Sequence, residues 1–201
     1  MSLQPFERLD AIAVPITQPN LDTDQLLPAR YLQKPRANNF GEYLFRDLRF
    51  GKDGSEQPGF VLNRPAYRDG RIIVAERNFG CGSSREHAVW ALHDYGFRVV
   101  IAPSFGDIFY SNSLKNGFLP IILPEPSVGA MLEAIQAAPG THITVDLETQ
   151  TVLGPDGTSH AFSIDGFSKH CLLNGLDELS YTLSLVGQIA DFERRFEQAD
   201  S

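Results

Sequence analysis

The sequence predicts an α/β fold, in which strands and helices alternate along the chain. Short apolar runs of strand length are interleaved with segments of helical periodicity, rather than being collected in separate halves. The 201 residues are 42% hydrophobic and 21% charged, which is the composition of an ordinary globular protein. A chain of this length buries a sizeable core without disulfides or metals, so we expect a single domain over residues 1–201.

The predicted elements follow in βα order from the middle of the chain. A buried strand at 72–75, a helix at 84–94 and a second buried strand at 98–102 form a βαβ-like unit at the centre of the domain. The alternation continues with helices at 106–115 and 128–138 and strands at 119–123, 142–147, 151–153 and 160–164. A Gly-Pro-Asp-Gly turn at 154–157 makes the last two strands a predicted hairpin.

Two segments lie outside this alternation. Residues 46–64 are rich in glycine, proline and charge, so we interpret them as an exposed excursion rather than a linker between domains. Residues 177–198 have a helical pattern and are predicted to form a C-terminal helical segment.

Charge and apolar patterning argue against several functional classes. The formal net charge of -8 would repel a phosphate backbone, so nucleic acid is not an expected partner. No run approaches the roughly 18 apolar residues that a membrane span needs, and the first ten residues lack the apolar core of a signal peptide. The sequence therefore predicts a cytoplasmic protein with no membrane contact.

The two cysteines, Cys81 and Cys171, lie far apart in the sequence and match no zinc-site spacing. Free thiols are expected, with a structural disulfide as the alternative. An iron–sulfur cluster normally takes about four cysteine ligands, so two cysteines do not hold one unaided. We therefore predict that this chain binds no metal or cofactor.

The most informative segment is NFGCGSSREH at residues 78–87, which joins a predicted strand to a predicted helix. Gly80 and Gly82 allow a tight turn, and the free N–H groups of the first helical turn favour a bound carboxylate or phosphate. No Lys-Ser/Thr pair follows the glycines, and a third glycine of the dinucleotide pattern is missing. The segment predicts an anion site that does not bind nucleotides.

The residues of this segment also allow a purely structural interpretation. Ser83 and Glu86 have the S-x-x-E spacing of a capping box, which only satisfies backbone donors. However, Ser83 and Ser84 followed by Arg85 offer more than a cap needs: a proton acceptor, a hydrogen-bond donor and a fixed cation for a carboxylate. His87 is interpreted as a core-facing histidine.

A second motif, NLDTDQLLP at residues 20–28, places two acids beside a hydroxyl just before an apolar run. Asp22, Thr23 and Asp24 are candidates for chemistry. A helix N-cap formed by an aspartate or the threonine explains the same spacing equally well. Both interpretations stay open at this point.

Together, the segments GSSREH at 82–87 and Asp22-Thr23-Asp24 resemble the signatures of the mobile swivelling domain of aconitases. The similarity to small subunits of bacterial isopropylmalate isomerases extends through YLQK at 31–34, DYGF at 94–97, APSF at 102–105 and HCLLNGLD at 170–177. Cys81 stands where most aconitases have an acidic residue, as fits the two-subunit isomerases. The resemblance implies an aconitase-type swivelling β/β/α domain, with a mixed sheet flanked by helices.

The resemblance also implies an activity, namely a hydro-lyase reaction that interconverts 2-isopropylmalate and 3-isopropylmalate through isopropylmaleate in leucine biosynthesis. The chain would act only with a large partner subunit that holds a [4Fe–4S] cluster. Small subunits of homoaconitases and of citraconate- or methylmalate-type hydratases carry similar motifs and are alternatives. A non-catalytic anion-binding module is the alternative of a different class.

The implied catalytic residues are Ser83, Arg85 and Asp24. Ser83, as an alkoxide, would remove the proton next to the leaving hydroxyl, while Arg85 stabilises that charge and pairs with a substrate carboxylate. Ser84 would hydrogen-bond a carboxylate, Thr23 is a further substrate-binding candidate, and Asp24 would orient an active-site group or water.

The segment 31–40 is the candidate for reading the alkyl group of the substrate, because an isopropyl group needs an apolar pocket. Lys34 and Arg36 are alternative candidates for a further substrate-binding cation. The structural alternative is that this segment is a solvated basic loop.

Overall fold

In the computed structural model, residues 3–36, 39–83, 85–187 and 194 are described. Within them, seven strands form one mixed sheet in the order β4-β3-β2-β1-β5-β6-β7. The strands are β1 (Arg8–Ile16), β2 (Ile72–Ala75), β3 (Val99–Ala102), β4 (Leu119–Ile122), β5 (His142–Asp146), β6 (Thr151–Leu153) and β7 (Ser159–Ala161). Strands β1 to β4 pair in parallel, and β5 to β7 add antiparallel pairs beside β1.

Helices flank this sheet, as predicted. They are α1 (Thr23–Leu26), α2 (Arg46–Arg49), α3 (Glu86–Tyr95), α4 (Asp107–Lys115), α5 (Glu125–Ala137), α6 (Gly166–Asn174) and α7 (Glu178–Ser184). Helix α5 packs on β1, β2 and β3, whereas α4 packs on β4, α3 and α6. The predicted α/β class with a mixed sheet is therefore confirmed.

Most predicted elements are present within a few residues of their expected bounds. Helix α3 begins at Glu86, two residues later than predicted, because Arg85 has an extended backbone and forms the N-cap. Helix α5 begins at Glu125, three residues early, since a proline is tolerated in the first turn of a helix. Strand β1 and helix α6 were not anticipated.

The segment predicted as an exposed excursion, 46–64, is exposed without interruption only over residues 52–59. Its ends pack against the domain: Leu62 is buried, and the Asn63 amide donates hydrogen bonds to the carbonyls of Arg49 and Gln57 at 2.7 and 2.9 Å. Of the predicted C-terminal helical segment, α7 is helical as expected, while 188–193 and 195–198 lie outside the described residues.

The parallel strands place the two motifs of the sequence at one edge of the sheet. Strands β2 and β3 are fully buried and anchor the core. The carboxyl ends of parallel strands share one edge, where ligands commonly bind in open α/β sheets. Because β1 leads into the segment 20–24 and β2 into 78–85, both motifs leave adjacent strands at that edge. None of the described helices is long and apolar enough to cross a membrane.

Candidate active site

The two motif segments are joined through their backbones. The carbonyl of Leu21 accepts hydrogen bonds from the amides of Gly80 and Cys81, at 2.8 and 3.2 Å. In return, the Thr23 amide donates to the Cys81 carbonyl at 3.2 Å. The segment around Asp22 is therefore fixed against the loop that precedes α3. The sequence predicted both motifs but not their direct contact.

Glycine is required where this loop turns. Gly80 has a φ of +70°, and a Cβ there would lie 2.3 Å from the ring of Phe109. Gly82 also has a positive φ, of +85°. The left-handed region disfavours L side chains, so the loop conformation depends on these residues. The Cys81 thiol points back to the carbonyl of Asn20, with a sulfur–oxygen distance of 3.4 Å.

The acidic motif divides into a structural and a free part. Asp22 caps α1: its side chain accepts from the Gln25 amide at 2.8 Å, and the Gln25 side chain accepts from the Asp22 amide at 3.2 Å. The N-cap interpretation is therefore confirmed for Asp22. Thr23 is buried, with 6% of its surface exposed, whereas Asp24 is exposed on the first turn.

The capping-box interpretation of Ser83 and Glu86 is wrong. Arg85 is the N-cap of α3 and makes no side-chain capping bond, which places Glu86 at the first helical position. Within the described part of the chain, the exposed Ser83 side chain makes no hydrogen bond. Its hydroxyl is therefore available to a ligand. Ser84 lies outside the described residues.

Three predicted site residues meet in one small crevice. Its lining includes Thr23, Asp24 and Arg85, and the apolar remainder is Leu27, Leu32 and Ala88. The crevice measures about 10 Å³, which holds about one water molecule. It is therefore too small to enclose a substrate. The structure brings these residues together as one open wall.

The two candidate cations of segment 31–40 have different surroundings. Arg36 makes a bidentate ion pair with Asp94 on α3, at 2.8 and 2.9 Å, and its guanidinium lies 5.0 Å from the Trp90 ring centroid. Lys34 is exposed and forms no ion pair with the described residues. Arg36 therefore fastens its loop to α3, whereas Lys34 is free to meet a ligand.

His87 packs among aromatic rings, as its core-facing interpretation predicted. Its ring centroid lies 4.4 Å from that of Trp90 and 5.6 Å from that of Phe40. Burial lowers the pKa of His87, and the nearby cations Arg85 and Arg36 lower it further, against the opposing effect of an adjacent glutamate. The positive charges of both arginines are therefore felt at His87 in the first turn of α3, the end of the helix that lines the crevice.

The described residues do not fit a metal or an iron–sulfur cluster. They contain no group of three or more histidine, cysteine or acidic residues that could hold a metal ion. Cys81 and Cys171 are both free, which decides against the disulfide alternative, and Cys171 is buried in α6. Burial raises the pKa of the Cys171 thiol, which makes it a poor ligand.

Family models match most of the chain: the aconitase C-terminal domain matches residues 3–126, and LeuD_N matches 130–166. The 3-isopropylmalate dehydratase small subunit of Dinoroseobacter shibae is 49% identical, over 95% of this chain and 95% of the relative. The chain belongs to the 3-isopropylmalate dehydratase small-subunit family. The family member of Rhodospirillum rubrum is likewise 49% identical, over 96% of this chain and 93% of its own length.

A solved structure supports the fold of this small-subunit family. The 3-isopropylmalate dehydratase structure from Methanocaldococcus jannaschii aligns with a TM-score of 0.63 at 24% identity, covering 96% of this chain and 98% of that chain. At this identity the likeness shows the fold. The alignment therefore supports the mixed α/β fold described above.

Sequence analysis missed two residues that support the site. Leu21 contributes its carbonyl to the loop, which no side-chain pattern reveals. Asp94 holds both Arg36 and the Phe40 amide, the latter at 3.0 Å. The available signal was the spacing of Trp90 and Asp94, which share one face of α3 at i and i+4.

Proposed function

We propose that this family member is the small subunit of a hydro-lyase that interconverts 2-isopropylmalate and 3-isopropylmalate through isopropylmaleate in leucine biosynthesis, in the cytoplasm. The observation that carries the proposal is the crevice in which Thr23, Asp24 and Arg85 converge, together with the exposed Ser83 on the same loop as Arg85. Dehydration of a hydroxy acid needs a cation that binds a substrate carboxylate, a group that accepts a proton, and polar groups that orient the reacting atoms.

A large partner subunit supplies the second wall of this site. The support is geometric: the wall is exposed, and its crevice of about 10 Å³ leaves a substrate in water. Proton abstraction from carbon by a hydroxyl needs a water-poor environment, so a second surface must cover the site. A [4Fe–4S] cluster on the large subunit would supply Lewis-acid chemistry at the substrate hydroxyl.

Arg85 binds a carboxylate of the substrate. Its side chain is exposed at the N-cap of α3, where the free backbone N–H groups and the positive end of the helix dipole also favour an anion. A guanidinium can hold a carboxylate through two parallel hydrogen bonds, which fixes its orientation as well as its position. Arg85 thereby places the carbon next to that carboxylate above the loop.

Ser83 accepts the proton from that carbon at its Oγ. A serine hydroxyl is a weak base unless its anion is stabilised, so the neighbouring Arg85 and the α3 amides must support the negative charge. The Ser83 side chain forms no hydrogen bond with the described part of the chain, which leaves Oγ free to approach the substrate. The positive φ values of Gly80 and Gly82 produce a tight backbone turn just before Ser83.

The other candidates position the substrate. Asp24 lines the crevice opposite in charge to Arg85 and orients a water or polar group, while the Thr23 hydroxyl borders the same space. Ser84 is assigned a hydrogen bond to a carboxylate. Because Arg36 is already held by Asp94, we assign Lys34 to the second carboxylate and Arg36 to holding the loop that reads the alkyl group.

The direct test is Ser83→Ala in the complex reconstituted with a large subunit, following absorbance of the unsaturated intermediate. Loss of the base lowers turnover by about 10²- to 10⁴-fold, with the fold unchanged because the Ser83 side chain makes no hydrogen bond within the described part of the chain, and with assembly checked by size-exclusion chromatography. Ser159→Ala, at an exposed position of β7, is the matched control and keeps full turnover. Nearly intact turnover of Ser83→Ala would instead support a non-catalytic anion-binding module.

A further inference from the structure

A second cavity lies on the other side of the segment 20–24 from the catalytic loop. It measures about 400 Å³, within the usual range for small-molecule sites, and opens between the end of β1, α2 and the turn Val61–Asn63. None of Ser83, Asp24 or Arg85 lines it. It is therefore distinct from the crevice of the proposed active site.

The floor of this cavity is apolar and rigid. Leu21, Phe45 and Tyr67 line it, with 1%, 0% and 2% of their surfaces exposed, and Phe60 packs on Phe45 with ring centroids 5.3 Å apart. The Tyr67 hydroxyl donates to the Ile135 carbonyl at 3.2 Å, which turns its polar end into the core. The accessible apolar surface of the cavity belongs to the half-buried side chains of Leu48, Phe60 and Val61, and an aliphatic chain is the group that such a surface binds best.

One cation lies beside this floor. Arg64 lines the cavity and acts on Tyr67, where its positive charge opposes the rise in the pKa of the phenol that burial causes. Its guanidinium donates a hydrogen bond to the Gly59 carbonyl at 3.1 Å, and among the described residues it has no ion-pair partner. The amides of Gln18 and Gln136 lie on the same lining. A single unpaired guanidinium matches a single carboxylate.

We propose that this cavity is a second binding site, for a small aliphatic monocarboxylate, with the aliphatic chain against Leu48, Phe60 and Val61 and the carboxylate on Arg64. A dicarboxylate is a poor match, since its second charge would lie against apolar side chains without a partner. The proposed site thus selects against the dicarboxylate substrates of the active site.

This site is connected to the catalytic loop through Leu21. The side chain of Leu21 forms part of the cavity wall, and its carbonyl is the acceptor for the amides of Gly80 and Cys81. A ligand that fills the cavity leaves the Leu21 side chain less room to move and so restrains the residue that holds the loop. Binding therefore slows hydrogen exchange at these two amides.

The test is a titration of the full chain with 4-methylpentanoate, followed by the methyl NMR signals of Leu21, Leu48 and Val61, which line the cavity. We expect saturable shifts with the wild-type chain. The affinity falls about tenfold or more in Arg64→Gln, and by a similar factor when the neutral isostere 4-methylpentanamide replaces the acid. Arg71→Gln, an exposed arginine outside the lining, is the matched control and leaves binding unchanged.

Three results would overturn the site: no saturable shift, equal binding of acid and amide, or loss of binding when the large subunit is added, which would mean that the partner fills the cavity. Saturable binding with unchanged exchange at Gly80 and Cys81 would overturn the connection to the loop. These readouts do not use turnover, so failure of this site and failure of the proposed function are distinguishable.

Discussion

The backbone carbonyl of Leu21 is the single group that most restrains the candidate site. It accepts hydrogen bonds from the amides of Gly80 and Cys81 and so fixes the turn before α3. This contact needs the loop to pass close to the segment 20–24. Gly80 makes that approach possible, because it has a positive φ and because a Cβ at this position would lie only 2.3 Å from the Phe109 ring. The loop is therefore sensitive to any side chain added at this position.

Gly80→Ala is expected to lower the free energy of unfolding by more than about 2 kcal/mol, since a strained φ and a Cβ 2.3 Å from the Phe109 ring add their costs. Gly54→Ala is the control: its φ is also positive, at +82°, but nothing lies within 4 Å of the added Cβ. Denaturant unfolding of both variants isolates the clash. Equal losses would show that the loop does not pack on Phe109 as described.

His93 gives a pH dependence to the domain. Burial lowers the pKa of His93 in the folded state, and Arg98 and Arg36 lower it further against Asp94. The unfolded chain therefore binds the proton more readily than the folded chain does. The contribution of His93 to the free energy of unfolding is complete above about pH 6.5 and decreases as the pH falls below that value. His93→Gln should flatten the fall in unfolding free energy between about pH 7 and about pH 5. An unchanged slope would contradict this assignment.

At the scale of elements, the described residues of the segment 31–40 are attached to α3 through one carboxylate. Asp94 accepts both guanidinium nitrogens of Arg36 and the amide of Phe40, and only 15% of its side chain is exposed. A half-buried carboxylate with three donors contributes more than an exposed pair. This attachment fixes the loop that we assign to the alkyl group.

Asp94→Ala should therefore cost about 1–3 kcal/mol of unfolding free energy, because it leaves the Phe40 amide and the Arg36 guanidinium without their acceptor. Asp47→Ala removes the partner of Arg30 in an exposed pair and should cost less than about 1 kcal/mol. Chemical denaturation of both variants makes the comparison. A loss for Asp94→Ala no larger than for Asp47→Ala would show that the attachment is not formed in solution.

Sequence patterns predicted the elements whose periodicity is clear and missed those where it is masked. Strand β2 was predicted with its observed bounds, since its four residues are all apolar and buried. Strand β1 contains a proline at position 15, which argues against a strand in the middle of a sheet. Helix α6 buries only Cys171 and Leu172, so its apolar stripe is too narrow to recognise.

The same limit applies to the candidate site. The resemblance to the swivelling domain predicted Ser83, Asp24 and Arg85 as site residues, whereas their spacing alone fitted helix caps equally well. The motifs did not reveal the start of α3 at Glu86, which depends on the extended backbone of Arg85 and removes the capping box. Backbone contacts such as that of Leu21 carry no residue-type signal, and only the fold reveals them.

At the scale of the whole molecule, the chain presents a wall rather than an enclosed site. The parallel strands bring both motifs to one edge of the sheet, and the sheet, α3 and α5 make that edge rigid. The crevice there has room for about one water molecule. For the catalysis that we propose, a second protein surface must therefore cover that edge.

The most direct measurement is anaerobic co-expression with a cluster-bearing large subunit, with absorbance of the unsaturated intermediate followed on 2-isopropylmalate, 3-isopropylmalate, homocitrate and citraconate. We expect turnover of both isopropylmalates by the complex and none by either subunit alone. A preference for homocitrate or citraconate would contradict the substrate while keeping the reaction class. Turnover by the small subunit alone, or none by the complex on any of the four acids, would contradict the central claim of a shared active site.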